Sequence, residues 1–100
     1  MIKIKVNYNK KYITDFKITG HANFDDYGKD IVCAAVSSIV ITSVNLALSF
    51  NEDIIEYTNS EGLIDVNIKS NNDIINKVFI NMIDMLKDLE KQYSKNIKFI

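Results

Sequence analysis

The chain has 100 residues, 47% hydrophobic and 25% charged, enough for one domain with a sheet-and-helix core and too few for a catalytic domain with a separate partner domain. Its 12 basic residues are all lysine and its 13 carboxylates leave a net charge of −1, which argues against a basic, arginine-bearing face that reads nucleic acid. A single cysteine excludes an internal disulfide and a cysteine-rich zinc site.

The opening residues, MIKIKVNYNKK, alternate apolar and polar instead of building the apolar core of a leader peptide, so the expected location is the cytoplasm. Over residues 2–8, Ile2, Ile4, Val6 and Tyr8 fall on one face and Lys3, Lys5 and Asn7 on the other, the period of a half-buried strand. Residues 12–19 repeat the alternation, with Tyr12, Thr14, Phe16 and Ile18 opposing Ile13, Asp15, Lys17 and Thr19. The short Asn9-Lys10-Lys11 link predicts an antiparallel hairpin, and Gly20 ends its second strand.

Residues 21–30, HANFDDYGKD, have neither helical nor strand period and read as a loop. Asp30 stands directly before an apolar run and is placed to cap a helix over about residues 31–50. From Ile31 to Asn51 there is no charge, a length that would span a bilayer. The run nevertheless holds Ser37, Ser38, Thr42, Ser43, Asn45, Ser49 and Asn51, is closed by Asp30 and Glu52, and lacks an aromatic belt or a basic flank. It reads as the buried central helix of a small domain, and no membrane partner is expected.

Residues 53–58 and 63–69 predict a second hairpin turning through Asn59-Ser60-Glu61-Gly62. Ser70 and Asp73 have the spacing of a capping box ahead of a second helix, whose stripe is Ile75, Val78, Phe79, Met82, Leu86, Leu89 and Tyr93. Asn96 to Ile100 add a short strand. The predicted order is ββαββαβ: an α+β domain with a largely antiparallel sheet.

The one histidine and the one cysteine, His21 and Cys33, bracket the irregular loop. An isolated cysteine in an apolar helix is by composition a small buried hydrophobe, and a histidine after a strand is commonly structural. Here the capping argument puts Cys33 at about the third helical position, beside the positive end of the helix dipole, an environment that favours thiolate over thiol. A histidine across the loop would take the thiol proton and return it to a leaving amine. The amides of the first helical turn are the expected oxyanion donors. Asp25, Asp26 and Asp30 lie near this pair in sequence but lack the ligand spacing of a zinc site, so neither metal nor cofactor is expected.

The pattern Gly20-His21-Ala22, five residues, Gly28, one residue, Asp30-Ile31-Val32-Cys33-Ala34 and then Ser37 resembles the motif of the ribosomal-processing cysteine proteases, the Prp family. The resemblance implies an endopeptidase that removes the N-terminal extension of a large-subunit ribosomal protein, cutting after a hydrophobic, phenylalanine-containing stretch. It further implies Cys33 as nucleophile, His21 as general base and acid, and a homodimer. Asp30 and Ser37 match motif positions as supporting residues. Asp30 would cap the helix or orient His21, and Ser37, one turn after Cys33, would face the site or bond back to the carbonyl four residues earlier. Phe24, Tyr27 and Gly28 are candidates for closing the loop over an extended peptide, or for anchoring it. The competing reading is a ribosome-associated binding module without catalysis, in which Cys33 packs and His21 anchors a loop.

Overall fold

The computed structural model describes residues 1–100. Its elements are β1 (Ile2–Asn9), β2 (Tyr12–Thr19), α1 (Ile31–Phe50), β3 (Ile55–Ser60), β4 (Leu63–Ile68), α2 (Asp73–Gln92) and β5 (Ile97–Phe99), the predicted ββαββαβ order. The strands form one sheet in the order β3-β4-β2-β1-β5. Only the β1–β5 pair is parallel. One sheet face buries Ile2, Ile4, Phe16, Ile18, Ile64 and Val66 in a single core with both helices, and the Phe16 and Phe79 rings meet with centroids 5.4 Å apart. The other face is polar, with Lys17 opposite Asp65 and their charges 3.8 Å apart.

Three details depart from the sequence reading. Thr14 is an extra residue in the first hairpin: Asn7 pairs with Asp15, and Tyr8 with Ile13. This bulge reverses the alternation of β2 beyond it, so Ile13 points into the core in place of Tyr12 and Thr14. In the second hairpin the strand runs through Asn59 and Ser60, because Gly62 at φ +72° closes a two-residue turn with Ser60 paired to Leu63. Residues 53 and 54 are instead consumed by a turn in which the Asp53 amide donates to Asn51 Oδ1 and the Ile54 amide to the Asn51 carbonyl. The cap of α2 is Asn72, whose Oδ1 accepts from the Ile75 amide at 2.9 Å, and Asp73 is the first helical residue.

The α2 stripe holds at Ile75, Phe79, Met82 and Leu86, with Leu89 and Tyr93 packed beside them; Val78 stays outside the core, and Ile83 joins the buried face together with Asn76, the core's one buried polar side chain. Asn76 accepts from the Ile13 amide at 3.0 Å and donates to the Lys11 carbonyl at 3.1 Å. It thereby satisfies backbone groups that the bulged hairpin leaves without a ladder partner.

The α1 helix is not buried all round. Val32, Val36, Val40, Val44 and Ala47 form one buried face at steps of three and four, while Ile31, Leu46 and Phe50 are 57%, 47% and 57% exposed. Although long and apolar enough to cross a membrane, this helix packs its valine face onto the core and leaves small, polar and a few large apolar side chains outside.

Candidate active site

At the C-terminal end of β2, the start of α1 and the β3–β4 turn enclose a cleft of about 690 Å³. His21, Cys33, Asp30, Ser37, Tyr27 and Gly28 all line it, and Ile2, Ile18, Val36, Leu63 and Ile64 supply apolar wall. Phe24 lies outside. Its ring is half-exposed and meets the Tyr93 ring edge-on, centroids 5.5 Å apart, which makes it the loop anchor of the two roles considered.

Asp30 is the N-cap. Its Oδ1 accepts from the amides of Val32 and Cys33, each at 3.0 Å, and its Oδ2 from those of Phe24 and Asp25 at 2.9 and 3.4 Å. One carboxylate thus ties the loop to the first turn of the helix. Partial burial works to raise its pKa, but the amides of Cys33, Phe24, Asp25 and Val32 together outweigh this and hold it below the usual carboxylate value. All of its hydrogen bonds are to backbone, and none reaches His21.

That arrangement corrects the expected oxyanion donors. The Val32 and Cys33 amides are committed to Asp30, and the Ala34 amide to the Asp30 carbonyl at 3.1 Å. The amide that faces the sulfur belongs to Ala22, which donates to Cys33 Sγ at 3.3 Å. Cys33 is half-buried at the cleft wall, and Ala22 is 1% exposed beneath it. No feature of the linear pattern points to this contact, because Ala22 and Cys33 are brought together only by the loop closing on its own cap.

His21 is exposed and follows Gly20, whose amide extends the β2–β4 pairing by donating to the Gly62 carbonyl at 2.9 Å. Gly20 has φ +89°, and a side chain there would collide with the Met1 carbonyl oxygen. The His21 imidazole lies over the β3–β4 turn: a Cβ built on Gly62 would be 3.2 Å from Nε2. In the sequence the Gly62 turn is a connection alone; in the fold it is the platform under the histidine. No hydrogen bond joins imidazole to thiol; both side chains line the same cleft.

Gly62→Ala is accordingly expected to cost about 1–2 kcal/mol through the left-handed backbone. By pressing on the imidazole it is also expected to slow peptide cleavage roughly tenfold. Denaturant melts and cleavage rates measured side by side check both effects; an unchanged cleavage rate would mean that the ring does not depend on this platform.

Ser37 is exposed on the cleft wall, one turn after Cys33, and its hydroxyl makes no hydrogen bond within the chain. The bond back to a carbonyl four residues earlier is made by Ser43, to Ile39 at 2.9 Å. Tyr27 is 91% exposed and Gly28 has φ +84° with open space around it, so the loop tip lies free beside the cleft. Asp25, Asp26 and Asp30 form no metal-binding cluster with His21 and Cys33.

Known proteins share this architecture. A sequence model of the family "Cysteine protease Prp" matches residues 1–98. The ribosomal processing cysteine protease Prp of Staphylococcus aureus is 31% identical over 102 residues, covering 98% of this chain and 96% of its own. The protein of that name from Bacillus subtilis is 47% identical over 38 residues, 38% of this chain and 34% of its own. The crystal structure of the S. aureus protease with a covalently linked product peptide superposes with a TM-score of 0.91 at 28% identity, covering 99% of this chain and 97% of that one. Its complex with a substrate peptide superposes at 0.86 and 27%, over 100% and 98% of the two chains. With a match over nearly its whole length and a fold that superposes end to end, the chain belongs to the Prp family of cysteine proteases.

Proposed function

We propose that this protein is an endopeptidase that removes the N-terminal extension of a large-subunit ribosomal protein, with Cys33 as nucleophile and His21 as general base and acid. The observation that carries the reading is the cleft itself: the chain's one thiol and one imidazole open onto it, and a backbone amide is aimed at the sulfur. The amide of Ala22 donates to the sulfur, which sits in the first turn of α1. Attack of Sγ on the scissile carbonyl carbon forms the S–C bond of a tetrahedral intermediate. Its collapse breaks the C–N bond, with the His21 imidazolium protonating the departing amine. Water deprotonated by His21 then attacks the thioester, releasing the acid and restoring the thiol.

The apolar wall of Ile18, Val36, Leu63 and Ile64 suits a large hydrophobic side chain just before the cut. The S. aureus relative is named for ribosomal processing and has been crystallised with substrate and product peptides, which supports a peptide substrate here. Tyr27 and Gly28, at the free tip of the loop, would close over the bound segment. No cofactor enters these steps.

Homodimerisation accords with the uncharged α1 helix, which turns Ile31, Leu46 and Phe50 to solvent. A ribosomal substrate places the reaction in the cytoplasm, a reducing compartment that keeps Cys33 a thiol. The decisive experiment is incubation with a peptide copying the extension and its junction, followed by mass spectrometry. A single cut after the hydrophobic stretch supports the proposal; binding of the peptide without any cut would favour the non-catalytic module.

A further inference from the structure

We infer that Asn96 is a positioning residue for the Cys33 thiol, acting through the backbone on the two sides of Ala22 from the far end of the chain. The inference rests on the reading of Cys33 as the nucleophile and adds a residue to it. Asn96 Nδ2 donates to the Ala22 carbonyl at 2.9 Å, across 74 positions of sequence, and the Ala22 amide donates to Cys33 Sγ at 3.3 Å. Asn96, Ala22 and the sulfur therefore form one hydrogen-bonded relay, with Ala22 held on both sides.

The anchor of this relay is rigid. The Asn96 amide donates to the Tyr93 carbonyl at 2.9 Å, closing the junction of α2 with β5, and its carbonyl accepts from the Ile2 amide at 2.8 Å, at the head of β1. Its side chain thus hangs from the joint of a helix and two paired strands. The same joint carries Tyr93, whose ring meets Phe24 two residues beyond Ala22. On the loop side, Asn23 turns the chain at φ +55°, the left-handed conformation that asparagine adopts more readily than other side chains. The bond from Asn96 holds the Ala22–Asn23 peptide, one Cα away from the His21–Ala22 peptide whose N–H meets the sulfur, and so limits how far Ala22 can turn that amide aside.

The chemistry calls for asparagine. The group to be held is a carbonyl oxygen, so the partner must donate, and aspartate would aim a charged acceptor at it. An N–H···S⁻ bond favours the ionised sulfur, and it weakens steeply once its angle opens. Loss of the clamp therefore reaches the thiol without any contact between Asn96 and the substrate.

The test compares the wild-type chain with Asn96→Ala and the near-isosteric Asn96→Asp. The rate of Cys33 alkylation by iodoacetamide is followed against pH with no peptide present, and the curve is expected to move toward alkali in both variants by up to about one pH unit. With the extension peptide, kcat is expected to fall roughly tenfold while KM stays within about twofold. Asn96→Gln, which retains a donor on a longer arm, should recover part of the rate. Alkylation curves that superpose on the wild type would overturn the role of Asn96, as would a loss of rate that merely tracks a lower melting temperature. The alkylation readout needs no substrate, so failure of the wild type to cleave the peptide would count against the protease reading and leave the clamp to be judged on its own curve.

Discussion

Cys33→Ala and His21→Ala are each expected to lower the rate of peptide cleavage by about three orders of magnitude or more, and the double variant is expected to be no slower than either single one. Non-additivity follows from the chemistry: without the thiol there is no acyl-enzyme for the imidazole to assist, and without the imidazole the proposed general acid for the departing amine is gone. Both side chains border the cleft and neither belongs to the set of fully buried core residues. Melting temperatures should therefore stay within a few degrees of wild type. Steady-state cleavage assays with a thermal melt of each variant check both halves. Cleavage by Cys33→Ala at a tenth of the wild-type rate would remove the nucleophile assignment, whereas multiplicative losses in the double variant would show two groups acting independently.

Asp30→Ala should produce the largest loss of stability among the cleft residues, about 1–2 kcal/mol from the helix cap alone, with a further contribution from the two loop amides left without a partner. Because the folded-state carboxyl lies below its ordinary value, the carboxylate's contribution is fully present above the ordinary range of about 4. It is lost as pH falls through the lowered folded value. The gap in stability between wild type and Asp30→Ala is thus expected to be constant from neutrality to about pH 5 and to narrow below pH 4. Urea melts at a series of pH values measure it; a gap that persists undiminished into strong acid would mean that the charge contributes nothing. Cleavage should also slow, because the same carboxylate holds Val32 and Cys33 at one oxygen and Phe24 and Asp25 at the other. Asp30→Asn, which keeps one acceptor, should lie between the two.

The two predictions separate chemistry from scaffold. In the proposed mechanism His21 and Cys33 carry the reaction, while Asp30 holds the loop and the helix start that bear them. A role for Asp30 in orienting His21 has no support in its hydrogen bonds, all four of which go to backbone amides. The cap reading, by contrast, is met in full.

The linear sequence was enough for the order of elements, the two long helices, the cap at Asp30 and the placing of His21 and Cys33 at the two ends of one loop. Each of these is local. Alternation, helical stripes, a capping side chain and a motif spanning residues 20–37 depend on neighbours within a few turns of chain. What the sequence withheld depends on partners far along it. The bulge at Thr14 is settled by Asn76, 63 positions from the Ile13 amide it accepts. The strand through Asn59 and Ser60 exists because β4 pairs with them and Gly62 alone can turn the chain between. In the same way, the amide at the sulfur and the platform under the imidazole are set where β2, the β3–β4 turn and the α2–β5 joint converge. A side chain's type declares what chemistry it offers, but backbone donors and acceptors are the same at every position. Which of them faces Cys33 is therefore decided only when distant segments pack.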